Sequence, residues 1–273
     1  MNTRIAGLQG PHTYYPHGSP DPAADRVANL GLLERTAARA AAGQAQVLIA
    51  PEMFLAGHRL GSATSAMAEP ADGPSAADIA AIARRHRLAI LYGYPERAGD
   101  EIYNAAQLID QDGRRLANYR KTHLFGDIDR TAFADCDKLV VQAEVAGIVF
   151  GILIGYDVEF PEAVRAHALA GTQVLLVPAA VMQPFQHVSN QIVPSRAIES
   201  QLFIAYINRV GLERDYEYCG ESRVMSPDGR ELAAAGNCPA LLFADLPREA
   251  LDAAHGANTY LADRRTHLYQ AYP

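Results

Sequence analysis

The sequence predicts an α/β fold, and three observations carry that expectation. Short apolar runs of strand length alternate with longer segments whose apolar residues recur at helical spacing. One run, Val149, Phe150, Ile152, Leu153 and Ile154, is nearly continuous, as expected of a strand buried on both faces. It breaks at Gly155-Tyr156-Asp157 and passes into a helical segment over 161–170. Such a sharp turn leaves backbone N–H groups free to face a ligand.

In chain order, residues 4–9 read as the first strand, and residues 10–20, rich in Pro, His, Gly and Tyr, as a loop. Asp21 is placed to cap a helix with Pro22 at its first position. Val27, Leu30, Leu33 or Glu34, Ala37 and Ala41 follow at helical spacing, and Gly43 ends the helix. Residues 46–50 are a short strand ending at Pro51-Glu52; residues 56–75, small and polar, form a loop able to line or cover a pocket. A helix is expected over 75–86 with Ile79, Ile82 and Ala83 inward, then a strand over 88–93. Residues 104–110 and 116–120 read as a hairpin around the turn dipeptide Asp112-Gly113. Further strands are expected over 139–142, 147–154 and 174–177, with the helix at 161–170 bounded by Pro161 and Gly171. A helix over 195–202, started or kinked by Pro194, precedes a strand over 203–208; residues 209–218 read as a loop and 220–229 as part of a hairpin.

The 273 residues carry a net charge of −7, which argues against a nucleic-acid partner. Nothing approaches the run of about 20 apolar residues that crosses a membrane, and the first residues enter a strand pattern at once, so neither a membrane partner nor a signal peptide is expected. Cys136, Cys219 and Cys238 form no CxxC pair and are odd in number, which reads as free thiols in a reducing cytoplasm. With no internal repeat and no low-complexity linker, residues 1–273 are read as one domain.

Two charged positions bear on function. Glu52 directly follows an apolar strand, at the edge where open α/β sheets bind ligands, although by itself it also reads as an exposed loop residue. Lys121 stands at the end of the predicted hairpin, where an Arg-Lys pair is more often solvated.

The stretch Gly151-Ile152-Leu153-Ile154-Gly155-Tyr156-Asp157-Val158-Glu159-Phe160-Pro161-Glu162 resembles the nucleophile region of the carbon–nitrogen hydrolase (nitrilase) superfamily, G-x-x-I-C-Y-D-x-E-F-P-E. One position differs: the family's catalytic cysteine falls on Gly155. Leu48-Ile49-Ala50-Pro51-Glu52-Met53-Phe54 matches the family's strand–P-E-x-x element, which implies that Glu52 is the general base. Tyr119-Arg120-Lys121-Thr122-His123-Leu124-Phe125 matches Y-R-K-x-H-L-F, which implies that Lys121 stabilises the anionic tetrahedral intermediate and a neighbouring thiolate. Members often carry a further acid after the lysine, commonly Glu. Asp127 and Asp129 lie in that interval, and Asp129, eight residues after Lys121 and one methylene shorter, is assigned to it. The backbone N–H of Tyr156 is implied as an oxyanion donor, with Tyr156, Ala180 and Val181 against the substrate. Relatives often have Asn or Trp near Val181. The R-A-x-E element at 196–199, the G-x-S-x-V and P-D-G elements at 220–229 and the Y-L-x-D-R-R element at 260–265 extend the resemblance over nearly the whole chain.

The resemblance implies a four-layer αββα sandwich, two mixed β-sheets face to face with helices outside, assembled as a homodimer or larger. It implies hydrolysis of a small carboxamide to acid and ammonia, closest to the bacterial aliphatic and (R)-selective amidases, with an N-carbamoyl-amine hydrolase or a nitrilase as alternatives. No metal or organic cofactor is implied. Glycine supplies no nucleophile, and losing one costs on the order of 10⁶ in rate. Three readings of Gly155 stand open: a cysteine deliberately replaced to hold substrate without turnover, a natural non-catalytic binding protein on the same scaffold, or hydrolysis by water activated by Glu52. A strained turn would also favour glycine on structural grounds alone.

Overall fold

The computed structural model describes residues 3–10 and 22–269. The expected loop over 10–20, beyond Gly10, and the Asp21 cap lie outside the described residues.

Strand β1 (Thr3–Gln9) pairs parallel with β2 (Val47–Ile49), and β2 parallel with β3 (Ala89–Ala98). From β3 the chain runs antiparallel into β4 (Glu101–Ile109) and β5 (Arg115–Arg120). A late strand, β14 (Ala240–Leu246), adds antiparallel to the other side of β1 and completes a six-stranded mixed sheet. The second sheet has the order β13-β12-β9-β8-β7-β6. Its middle strands, β7 (Ile148–Ile152), β8 (Val174–Ala179) and β9 (Phe203–Asn208), are parallel; β6 (Gln142–Val145), β12 (Arg223–Met225) and β13 (Glu231–Ala234) flank them antiparallel.

Alternation along the strands sorts the core into layers. On β1 and β2, Ile5, Val47 and Ile49 join residues of the second sheet such as Ile152, Leu176 and Ile204 in one buried cluster. Their neighbours Ala6, Leu8 and Leu48 turn the other way, onto helices α1 (Pro22–Ala42) and α3 (Pro74–His86), through Leu33, Ala37, Ile79 and Ala83. Helices α5 (Pro161–Leu169) and α6 (Val193–Ser200) pack against the second sheet through Ala163, Val164, Val193 and Ala197. The result is the four-layer αββα sandwich.

Several expectations are corrected. The inward stripe of α1 is rotated: Val27 is 66% exposed, while Asn29 is buried and its amide donates to the Leu55 carbonyl. That helix ends at Ala42 with Gly43 directly after it, as expected, and the left-handed residue is Gln44. The strand expected over 88–93 runs on to Ala98 and joins β4, so the hairpin is really a three-stranded meander. The loop expected over 209–218 is a hairpin of β10 (Val210–Glu213) and β11 (Tyr216–Cys219). Its alternation is hidden because Leu212 faces solvent while the charged Glu213 is buried. Helix α2 (Thr64–Met67) interrupts the long loop, and α6 is preceded by a π-helical turn over Val188–Ile192. Helix α7 (Glu249–Ala257) follows β14, and neither had a sequence expectation.

Candidate active site

Ends of β2, β5 and β7 converge on one buried cluster. Glu52 lies just past β2, in a backbone bent hard enough that Met53 sits in the left-handed region at φ 51°. For a side chain as long as methionine that conformation is strained and must be held by its surroundings. Two features hold it. Gly93 on β3 presents a bare backbone, and a Cβ there would stand 2.4 Å from the Met53 nitrogen and 2.8 Å from Glu52 Cα. Arg209, fully buried, donates Nε to the Glu52 carbonyl at 2.8 Å and Nη2 to the Met53 carbonyl.

Lys121 follows β5 and is 2% exposed. Its ammonium donates to Glu52 Oε1 at 2.7 Å and to Asp129 Oδ2 at 2.6 Å. Burial opposes its charge, but the carboxylates of Asp129 and Glu52 outweigh that and hold its pKa well above the ordinary lysine value. Asp129, fully buried on α4 (Gly126–Arg130), also accepts from His58 Nε2 at 2.8 Å and from the Phe125 N–H at 3.0 Å. Burial raises its carboxyl, and Lys121 with His58 overcomes this, leaving it well below the usual carboxylate range. Asp127, the other acid in the interval, is exposed. Asn104 supplies a second donor to Glu52 Oε1, at 2.7 Å.

Gly155 opens a tight turn of 3₁₀ helix over Gly155–Glu159 with φ 44°, in the left-handed region. A Cβ on it would point straight at the cluster, 2.5 Å from Glu52 Oε2. Asp157 ties this turn to the lysine segment. Its Oδ2 accepts from the Ile154 N–H at 3.0 Å and the Tyr119 hydroxyl at 2.9 Å, and its Oδ1 from the Thr122 hydroxyl and the His123 N–H, both at 2.9 Å. Arg196 on α6 binds the same turn from outside, donating to the carbonyls of Val158 and Glu159 and pairing with Glu199.

A small cavity opens beside Glu52, Lys121 and Tyr156, with Phe125, Ala180, Val181, Met182 and Phe185 supplying apolar lining and His58 and Glu159 polar edges. The structure therefore brings Glu52, Lys121, Asp129, Gly155, Tyr156, Ala180 and Val181 to one place. None of the cysteines lines this cavity. Burial pushes the Cys219 thiol up to about 11, which keeps it protonated at neutral pH. Glu52, His58 and Asp129 offer three ligand atoms within 4.8 Å of one another, in the manner of a metal site. The Lys121 ammonium bonds both carboxylates of that set, so the protein's own cation supplies the charge a metal would bring.

Sequence reasoning missed His58, Asn104 and Arg209. Asn104 and Arg209 reach Glu52 from segments far along the chain, His58 reaches Asp129 across 71 residues, and none carried a local signal.

Two mixed sheets packed between helices, with a buried carboxylate–lysine–carboxylate cluster at the strand ends beside a small cavity, define an αββα protein with groups able to exchange protons at that cavity. The chain belongs to the carbon–nitrogen hydrolase family, whose sequence profile matches residues 4–255. It is 47% identical over 247 residues to the "Hydrolase in pqqF 5'region" of Pseudomonas protegens, covering 90% of this chain and 86% of that protein. It is 34% identical over 228 residues to an (R)-stereoselective amidase of Pseudomonas sp., covering 83% of this chain and 82% of that one. A Glu-to-Gln, Cys-to-Ala double mutant of the amidase from Nesterenkonia sp. AN1, solved in complex with acrylamide, superposes with a TM-score of 0.86 at 32% identity, covering 100% of this chain and 97% of that chain.

Proposed function

We propose that this chain is an amidase-type scaffold for small carboxamides in which the nucleophile's position is held by Gly155, so that it binds substrate and turns it over barely or not at all. The observation that carries the reading is the direction of the missing side chain: a Cβ at residue 155 points at Glu52 Oε2, beside a lysine already paired with that same carboxylate.

With cysteine at 155, Glu52 would take the thiol proton and sulfur would attack the amide carbon. Two of the three N–H donors of Lys121 go to carboxylates, which leaves one for the oxyanion beside the N–H of Tyr156 at the start of the 3₁₀ turn. Collapse of the tetrahedral intermediate breaks the C–N bond, Glu52 returns the proton to the departing ammonia, and water then hydrolyses the thioester. Asp129 orients Lys121 and fixes its charge. The acrylamide complex of the Nesterenkonia variant, which also lacks its cysteine, supports the view that such a site holds an amide without a nucleophile.

The test is ammonia release from small amides, N-carbamoyl amines and nitriles by the chain as it stands and by Gly155→Cys. We expect turnover from the cysteine form and a rate lower by about 10⁴-fold or more from the glycine form. Equal rates would establish water-mediated hydrolysis instead. Two folded but silent proteins would favour the non-catalytic binding protein, the reading that Gly155 itself raises.

A further inference from the structure

The charge around the cavity does not balance. Among the described residues Lys121 is the one lysine or arginine on its lining, and its ammonium is already bonded to Glu52 and Asp129. Glu159 lies on the same lining, and no side chain among the described residues hydrogen-bonds its carboxylate. Arg196, which holds the same turn, spends its donors on the backbone carbonyls of Val158 and Glu159 and on the Glu199 carboxylate. The carboxyl of Glu159 is pushed up by burial, which the charges of His187, Lys121 and Arg196 offset only in part, as expected of a carboxylate short of donors. Glu159 stands four residues beyond Gly155 in one tight turn, so its backbone is fixed relative to the reacting position. Aromatic rings share that lining: Phe125 lies edge-on to Tyr156 at 5.2 Å and to Phe185 at 5.8 Å. A partly buried carboxylate on a cavity wall shared with aromatic rings is the chemistry that recognises an organic ammonium group.

We propose that Glu159 is a specificity-determining residue that selects carboxamides carrying a protonated amine close to the amide. The cation pairs with Glu159 while the amide lies against Glu52 and Lys121. This rests on the reading of the site as an amide site, and the experiment separates the two.

Because the chain lacks the nucleophile, binding can be measured directly by calorimetry on the protein as it stands. The probes are 3-aminopropanamide, cationic at neutral pH, and butanamide, its neutral isostere. We expect both to bind, the cationic amide about tenfold more tightly. In Glu159→Gln that preference falls to within about twofold. Equal binding of the two amides by the unaltered chain overturns the role of Glu159 and leaves the amide site standing. A preference that survives in Glu159→Gln overturns it too, since the selectivity then comes from other charges. Failure of both amides to bind overturns the amide site, and the role of Glu159 with it. Glu159→Asp, which keeps the charge, is expected to retain part of the preference and shows that any loss in the glutamine variant is not misfolding.

Discussion

At residue 155 two requirements meet. The turn demands a left-handed backbone, which glycine adopts freely and other residues adopt at a cost of about 1–2 kcal/mol. The chemistry of the family demands a side chain aimed at Glu52. Gly155→Cys is therefore expected to lower the melting temperature by about 2–4 °C even as it restores turnover; a melting temperature that rises would contradict the strain at this turn. Asp129 offers a second check. In the cysteine form, Asp129→Asn leaves Lys121 with one carboxylate partner in place of two and should lower kcat by about 10²-fold or more with a smaller change in KM. A change confined to KM would mean that Asp129 serves binding alone. The positions of Glu52 and Lys121 were legible because each sits in a short local motif, and Asp129 was reached only through its spacing after Lys121. His58, Asn104 and Arg209 were not, because what matters about them is a contact across 52 to 157 residues of chain. Glu159 was read only as a letter of a motif, since its lack of a partner is visible only once the turn is folded.

At the scale of elements, the site depends on strands holding turns at fixed heights. Gly93 is the tightest such point, because β3 and the Glu52 turn touch through backbone atoms that cannot move aside. Gly93→Ala should cost at least about 2 kcal/mol in denaturant unfolding and impair ligand binding in the same step; a neutral effect would show that the Glu52 turn is not held by this contact. Helix α5 makes a different kind of contact. Its His167 is fully buried beside Gly151 of β7, and burial pushes its pKa down to about 4 from 6.5. The unfolded chain binds a proton there between those values and the folded chain does not. Stability should therefore be level above about pH 6.5 and fall as pH is lowered toward 4, by about 2 kcal/mol between pH 7 and 5. Urea midpoints at the two pH values check this, and His167→Gln should flatten that limb. The buried parallel strands were legible as apolar runs, and Phe203–Asn208 matched its expected bounds. Hairpin β10–β11 and the rotation of α1 were not, because a buried asparagine or a charged strand reverses the usual pattern of inside and outside.

For the whole molecule, the outer helices leave apolar side chains uncovered. Leu169 at the end of α5 is 53% exposed and Ile198 on α6 is 38% exposed. We propose that this face meets a second copy of the chain. Sedimentation velocity at micromolar concentration should show a dimer or larger, and Ile198→Asp should shift it toward monomer; a monomeric parent protein would remove the proposal.

The pairing of β1 with β14 has a consequence for how the molecule is made. Arg4 reaches Asp245 through two hydrogen bonds of 2.8 Å, closing a loop of 241 residues. Strand β1 is interior to its sheet, yet the partner on one side lies more than two hundred residues further along the chain. Until β14 docks, β1 offers an open edge of unsatisfied amides, in a topology dominated by distant contacts. Slow folding is the expectation for such a topology. A version ending before β14 would keep every residue of the acid–lysine cluster and still expose the strand on which its sheet is built, so its failure would show first as aggregation.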